Sequence, residues 1–163
     1  SLNALKQQCG DSVFIDINLR PPWWNQSLVQ GIMQQGKWIK LNVDELALMV
    51  SQSMEVEARA HQLLSQLGLE LIVVTLGAAG ALALTRDERC SVQPDSIGSV
   101  VDTVGAGDAF TSVLLLGLHR AWPLQLILDR AQQFASAVVG QRGATTRDRT
   151  FYQPFIEAWS LAS

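Results

Sequence analysis

The chain of 163 residues is 48% hydrophobic and 17% charged, which suits one domain with a sizeable core and excludes a disordered chain. Its net charge of −3 does not suggest a nucleic-acid-binding surface. No apolar run reaches the roughly 20 residues that span a bilayer, and residues 1–10 show no secretory signal. Cys9 and Cys90 lie far apart without metal-site spacing, so we expect free thiols in a reducing compartment, the cytoplasm.

Strands and helices are predicted to alternate along the chain. Apolar runs predict strands at residues 13–17, 38–41, 69–75, 81–85, 90–93 and 99–101. Helical spacing predicts helices at residues 28–35, 44–50, 54–67, 108–118, 123–140 and 153–161. The expected end signals are Ser27 and Ser53 as N-caps, Gly36 and Gly68 after helix ends, and Pro123 at a first helical position. This order predicts an α/β fold with a mainly parallel sheet flanked by helices.

The stretch at residues 101–110 is the most informative motif. Gly105, Ala106 and Gly107 precede the carboxylate of Asp108, and an apolar helical run follows at once. Glycines allow a close backbone approach to a ligand, and a helix N-terminus favours negative charge. Asp108 beside such an anion site can accept a proton from an attacking hydroxyl. The alternative is a glycine turn with an ordinary first-turn helix acid.

A second glycine segment follows the predicted strand at residues 69–75. It consists of Thr75, Leu76, Gly77, Ala78, Ala79 and Gly80. Open α/β sheets bind ligands at the carboxyl ends of their strands. The alternative is a plain turn between two strands.

Polar side chains also follow the two earlier strands. Asn42 and Glu45 are three residues apart on one helix face and suit either a hydrated metal or a capping box. Asp16, Asn18 and Arg20 alternate beyond the first strand, so they share one side if the chain stays extended. Arg20 offers a fork for a carboxylate, a phosphate or sugar oxygens, and the alternative is a solvated loop with an Asp–Arg pair.

Taken together, these motifs resemble the ribokinase-like (PfkB) family of carbohydrate kinases. The pattern D-T-x-G-A-G-D-x-F at residues 102–110 resembles the family signature, and it is not a Walker A loop because no Gly-Lys-Ser/Thr follows. T-L-G-x-x-G-A at residues 75–81 resembles the family's nucleotide-binding segment. D-x-N-x-R-x-x-x-W at residues 16–24 resembles the fructokinase and 2-keto-3-deoxygluconate kinase branch.

The resemblance implies a role for each motif. The amides of Gly105, Ala106 and Gly107 would hold the transferring phosphoryl group, and Asp108 would deprotonate the sugar. The segment from Thr75 to Gly80 would bind ATP, together with Gly107, Asn42 and, facing the adenine, Ser136. Glu45 would meet Mg²⁺ through water. Asp102 and Gly143 would help to bind a monovalent cation such as K⁺, and Asp16, Asn18 and Arg20 would contact the sugar.

The resemblance also implies a ribokinase-like fold present as a C-terminal portion without the N-terminal strands and lid. We therefore expect residues 1–163 to form the nucleotide-binding and catalytic part of an ATP-dependent sugar kinase, with fructose as the first choice of substrate. The alternatives are a 2-keto-3-deoxygluconate kinase, a non-catalytic nucleotide-binding module and a plain α/β interaction domain. We expect this part alone to be inactive or weak, and to self-associate through an exposed face. A small sugar is the expected partner, with no nucleic acid and no membrane.

Overall fold

The computed structural model describes residues 13–20, 22, 24–50, 54–94, 105–140 and 148–161. The chain divides into two compact units, Ser1–Gln93 and Pro94–Ser163. Each unit is described by itself. The predicted strand at residues 99–101 lies outside the described residues.

A five-stranded sheet organises the first unit. Its strands are β1 (Phe14–Asp16), β2 (Trp38–Asn42), β3 (Leu71–Thr75), β4 (Ala81–Leu84) and β5 (Arg89–Val92), in the order β1-β2-β3-β4-β5. The pairs β1–β2 and β2–β3 are parallel, whereas β3–β4 and β4–β5 are antiparallel. The sheet is therefore mixed, and its three parallel strands bring their carboxyl ends to one edge. The predicted α/β class is confirmed.

Three helices accompany this sheet: α1 (Gln26–Met33), α2 (Val43–Met49) and α3 (Val56–Leu67). The prediction that Ser27 caps the first helix is wrong, because the Asn25 side chain accepts the Leu28 N–H at 2.8 Å and the helix begins at Gln26. Helix α3 begins two residues later than predicted, after Glu55, and Ser53 lies outside the described residues. Gly68 ends this helix in the left-handed conformation, as predicted.

The core of the first unit lies between these helices and one face of the sheet. Alternate residues of β2, β3 and β4 pack there against α1, α2 and α3. The most deeply buried members are Met33, Ile39, Leu41, Leu46, Ile72, Val74 and Leu84. This core fixes the strand ends that carry the predicted motifs.

The second unit consists of α4 (Ala106–His119), α5 (Leu124–Val139) and α6 (Arg149–Ala158). Pro123 is the N-cap of α5 and not its first helical residue, so that prediction is off by one position. Helix α6 begins four residues before the predicted start, because Asp148 caps it by accepting the Thr150 N–H at 2.9 Å.

Aromatic rings hold α6 against α5 in the second unit. The Phe134 ring meets the Phe155 ring at 5.1 Å between centroids, nearly edge-on, and Phe155 in turn meets Trp159 at 5.3 Å. The Arg130 guanidinium lies 4.1 Å from the Trp122 ring centroid and 5.6 Å from that of Trp159. Among the helices in the described ranges, none is long and apolar enough to cross a membrane.

Candidate active site

The carboxyl ends of β2 and β3 place two predicted site residues side by side. Asn42 and Thr75 are direct partners in the parallel register, each as the last residue of its strand. The sequence predicted both at strand ends, and the register shows that they are neighbours. The turn after β3 and the start of α2 after β2 therefore occupy one edge of the sheet.

The turn from Thr75 to Gly80 is a tight, exposed loop. A short 3₁₀ helix, Gly77–Ala79, forms it, and the Leu76 N–H donates to the Gly80 carbonyl at 2.8 Å. Gly77 has φ of +60°, and a Cβ added there would meet no other described atom within 4 Å. Gly80 has φ of +95°, and a Cβ there would overlap the Val92 carbonyl oxygen. The protein's own packing thus requires Gly80, while Gly77 leaves open space.

A cavity of about 450 Å³ opens beside this turn. Leu76, Ala79, Ala81 and Val92 supply its apolar wall, and polar groups such as Glu57 and Arg89 supply the rest. The Arg89 Nε lies 2.9 Å from the Glu57 carboxylate, so these two charges compensate each other at the rim. Its volume falls within the range of small-molecule pockets.

Asn42 and Glu45 form a complete capping box at the start of α2. The Asn42 Oδ1 accepts the Glu45 N–H at 2.9 Å, and the Glu45 Oε2 accepts the Asn42 N–H at 2.8 Å. The other oxygen, Glu45 Oε1, accepts the N–H of Leu19 at 2.9 Å. Glu45 is only 6% exposed, and each of its oxygens holds a backbone amide. The structural alternative for this pair is therefore confirmed.

Asp16 ends β1 and forms an ion pair with Lys40 of β2. The Lys40 Nζ lies 2.8 Å from Asp16 Oδ1 and 3.1 Å from Oδ2, and the lysine is 7% exposed. Asn18 and Arg20 are exposed, and within the described ranges Arg20 makes no ion pair. The structural alternative of an Asp16–Arg20 pair is therefore not what these residues form.

The glycine motif of the second unit stands at the start of α4. Gly105 is its N-cap with φ of +84° and offers no side-chain cap. Ala109 makes the first intrahelical bond, to the Gly105 carbonyl at 2.8 Å, so the amides of Ala106, Gly107 and Asp108 precede the helical ladder. Gly107 and Asp108 are exposed, and a Cβ at Gly107 would meet no other described atom. This arrangement offers amide donors, a positive helix end and one carboxylate together.

The structure provides less information on the remaining predicted site residues. Ser136 lies in α5, where its Oγ accepts from the Gln132 side chain at 3.1 Å. Asp102 and Gly143, predicted for a monovalent cation, lie outside the described residues. In the parts of the chain that the structure describes, no three His, Cys, Asp or Glu side chains gather as a metal site. The assignments of individual site residues stay predictions.

Sequence reasoning missed Lys40 and the link from Leu19 to Glu45. In the sequence Lys40 is the polar residue of the predicted strand at residues 38–41. Only the β1–β2 register reveals that it faces Asp16. The Leu19 amide is a backbone group, so no side-chain pattern could indicate its acceptor.

Comparison with known proteins identifies the family of this chain. A sequence model of the family described as pfkB family carbohydrate kinase matches residues 1–150. The chain belongs to the pfkB family of carbohydrate kinases. The aminoimidazole riboside kinase of Salmonella typhimurium is 31% identical over 150 residues, which are 86% of this pfkB chain and 46% of that kinase.

Solved structures agree with the ribokinase-like fold of this pfkB chain. A fructokinase double mutant from Vibrio cholerae O395, solved with fructose, ADP and potassium ion bound, is 29% identical with a TM-score of 0.72 and covers 92% of this chain and 52% of its own. Ribokinase from Thermotoga maritima is 21% identical with a TM-score of 0.74 and covers 94% of this chain and 52% of its own. The pfkB chain thus spans about half the length of the curated relatives that it matches.

Proposed function

We propose that the protein carrying this chain is an ATP-dependent sugar kinase, with fructose as the first substrate to test. One observation carries the proposal: three amides and one exposed carboxylate, that of Asp108, meet at the N-terminus of α4. Phosphoryl transfer needs donors for the charge on the transferred group and a base for the hydroxyl. Membership of the pfkB family makes this the expected use of the arrangement.

In the proposed reaction the sugar hydroxyl loses its proton to Asp108. Its oxygen forms a bond to the γ-phosphorus while the bond to the β-phosphate oxygen breaks, and ADP leaves. The amides of Ala106 and Gly107 stabilise negative charge on the transferred oxygens, since donors at a helix end need no reorganisation. The turn from Thr75 to Gly80 holds the nucleotide, and its open side at Gly77 gives a phosphate access to the backbone.

We infer that Mg²⁺ meets Glu45 through water. Both carboxylate oxygens already accept backbone amides, yet each keeps a lone pair for a further donor. Mg²⁺ commonly retains several of its waters when it binds phosphates. When bound, the ion neutralises charge on the phosphates. Glu45 would then accept hydrogen bonds from that hydration shell.

The test is an ADP-release assay with a panel of sugars on the wild-type protein and on Asp108→Asn. We expect kcat to fall by about 10²-fold or more because the base is lost. ATP binding should survive, since the helix amides remain. Asp129→Asn is the matched control, because Asp129 is an exposed helical carboxylate of the same unit, and among the described residues it accepts a hydrogen bond from Gln125, at 2.8 Å. Full activity of Asp108→Asn would refute the assignment.

A second candidate, a 2-keto-3-deoxygluconate kinase, is favoured by Arg20. Its exposed guanidinium has no ion pair in the described part of the chain, and a planar fork suits a substrate carboxylate. A panel that includes acidic and neutral sugars separates the two candidates. Binding of ATP without turnover of any sugar would instead favour a non-catalytic nucleotide-binding module.

A further inference from the structure

The segment that follows β1 is irregular, yet it is held at alternate positions. Residues 17–20 have no regular secondary structure. Ile17 is buried and its N–H donates to the Lys40 carbonyl at 2.8 Å, while Leu19 packs on the core and its N–H donates to Glu45. Asn18 and Arg20 alternate with these anchors and are exposed. We call residues 17–20 the β1 loop.

Lys40 contacts the start of the β1 loop, at Asp16 and Ile17, with two different groups. Its carbonyl oxygen takes the Ile17 amide, and its ammonium group binds both oxygens of Asp16. At 7% exposure the ammonium is largely withdrawn from water, so it needs the compensating carboxylate. A buried pair of this kind costs desolvation energy, and here it joins β1 to β2 at the point where the chain leaves β1.

We propose that Lys40 is a positioning residue for sugar binding. Through its ion pair with Asp16 it sets where the β1 loop presents Asn18 and Arg20, and Glu45 secures the far side of the loop at Leu19. The proposal rests on the proposed function, since it assigns the exposed polar ends of this loop to the sugar. It also moves Asp16 from sugar contact to loop support, because the Asp16 carboxylate is engaged by Lys40.

The alternative is that the ion pair only stabilises the sheet. Loss of a purely structural pair would lower the free energy of unfolding and leave substrate recognition unchanged in the folded protein. Loss of a positioning pair would also weaken sugar recognition, because the β1 loop would be displaced, and a displacement of about 1 Å can cost up to 10²-fold in rate. We assign ATP binding to the turn after β3, away from the β1 loop. The KM for ATP should therefore stay unchanged if Lys40 positions the β1 loop, while the KM for the sugar rises.

The experiment compares Lys40→Met with Lys37→Met. Lys37 precedes the same strand, β2, and pairs with Glu70 at 2.9 Å, but it lies at the opposite strand end from the β1 loop. We expect Lys40→Met to raise the sugar KM by about 10-fold or more and to change the ATP KM by less than about twofold. Lys37→Met should leave both constants at the wild-type values, and Lys40→Arg should recover part of the sugar KM.

Amide hydrogen exchange supplies a readout that does not need turnover. In Lys40→Met the amides of Ile17 and Leu19 should exchange faster than in the wild type and in Lys37→Met, because the ion pair at the start of the loop is lost. Unchanged exchange together with a sugar KM within about twofold of the wild type would overturn the proposal. A wild-type protein that phosphorylates no sugar would overturn the proposed function, while the exchange data still decide whether Lys40 holds the loop.

A double variant covers the case in which Lys40→Met does not fold. Lys40→Met combined with Asp16→Asn leaves no unpaired charge in the sheet and removes the ion pair. We expect this protein to fold and to show the same rise in sugar KM. A wild-type sugar KM in the double variant would show that the pair has no part in presenting Asn18 and Arg20.

Discussion

Gly77 and Gly80 lie three residues apart in one turn, and substituting each with alanine should give opposite patterns of damage. At Gly80 the backbone has φ of +95° and ψ of −132°, a combination open essentially to glycine. An added Cβ would overlap the Val92 carbonyl and lie 2.9 Å from the Gln93 Cα, so backbone itself would have to move. Strain and overpacking each cost about 1–3 kcal/mol, so we expect Gly80→Ala to lose about 3 kcal/mol or more.

Gly77 differs because its added Cβ meets open space among the described residues. Its φ of +60° is left-handed, which costs alanine about 1–2 kcal/mol, and the stiffer unfolded chain returns about 0.4–1 kcal/mol. We therefore expect Gly77→Ala to lose about 1 kcal/mol of unfolding free energy. Nucleotide affinity should fall far more than this loss of stability implies, since the methyl group occupies the space that we assign to a phosphate.

Urea denaturation of the two variants measures the stabilities, and titration with an ATP analogue measures affinity in the folded protein. Gly80→Ala should be the less stable variant, and Gly77→Ala should lose only about 1 kcal/mol of stability but bind the nucleotide weakly. Equal stability losses for the two would refute the steric argument at Gly80. Wild-type nucleotide affinity of Gly77→Ala would refute the assignment of the open side to a ligand.

Three further predictions concern single contacts. Asn42→Ala removes one side of the capping box, and urea denaturation should show a loss of about 1 kcal/mol. The hydrogen bond from Lys37 lowers the pKa of Glu70 from its usual value of 4.5, so the stability that this pair contributes is present above that value and is lost as the pH falls through the lower folded pKa. Glu70→Gln should thus lose stability at pH 7 and match the wild type in strong acid, and a constant difference across pH would contradict this. Gly117→Ala should destabilise the protein, because the added Cβ would lie 2.6 Å from an Ile127 carbon; we expect a cost of about 1–3 kcal/mol before any gain in helix propensity. The control is Gly31→Ala, whose added Cβ meets open space and should leave stability unchanged or raised. Thermal melting of both variants measures the difference.

Much of the site edge could be predicted from the sequence because strand ends carry local signals. The apolar run ending at Thr75, followed by glycines, indicated both the strand and the turn, and the structure places β3 and the 3₁₀ helix there. Asn42 three residues before Glu45 indicated a capping box, and the box is complete. Gly68 likewise marked the end of α3. Each signal depends on residues within one turn of each other, so no tertiary information was needed.

The errors and omissions share a different cause. Asn25 and Ser27 are both residue types that cap helices, and the structure uses the earlier one, so α1 begins at Gln26. The contact of Lys40 with Asp16 depends on the β1–β2 register across 24 positions of sequence. Such pairings follow from which face each strand buries, and a single sequence does not fix that.

The two readings of Asn42 and Glu45, a helix cap and a metal site, are compatible only under one condition. Glu45 receives charge-assisted hydrogen bonds from the Asn42 and Leu19 amides at 2.8 and 2.9 Å, and at 6% exposure neither bond is easily replaced by water. A cation bound directly to either oxygen would have to enter a buried position beside an amide donor. A cation that keeps its waters stays farther out, and one of its waters donates to a remaining lone pair. The carboxylate that builds the end of the sheet can therefore also face a hydrated ion, provided that it never becomes a direct ligand.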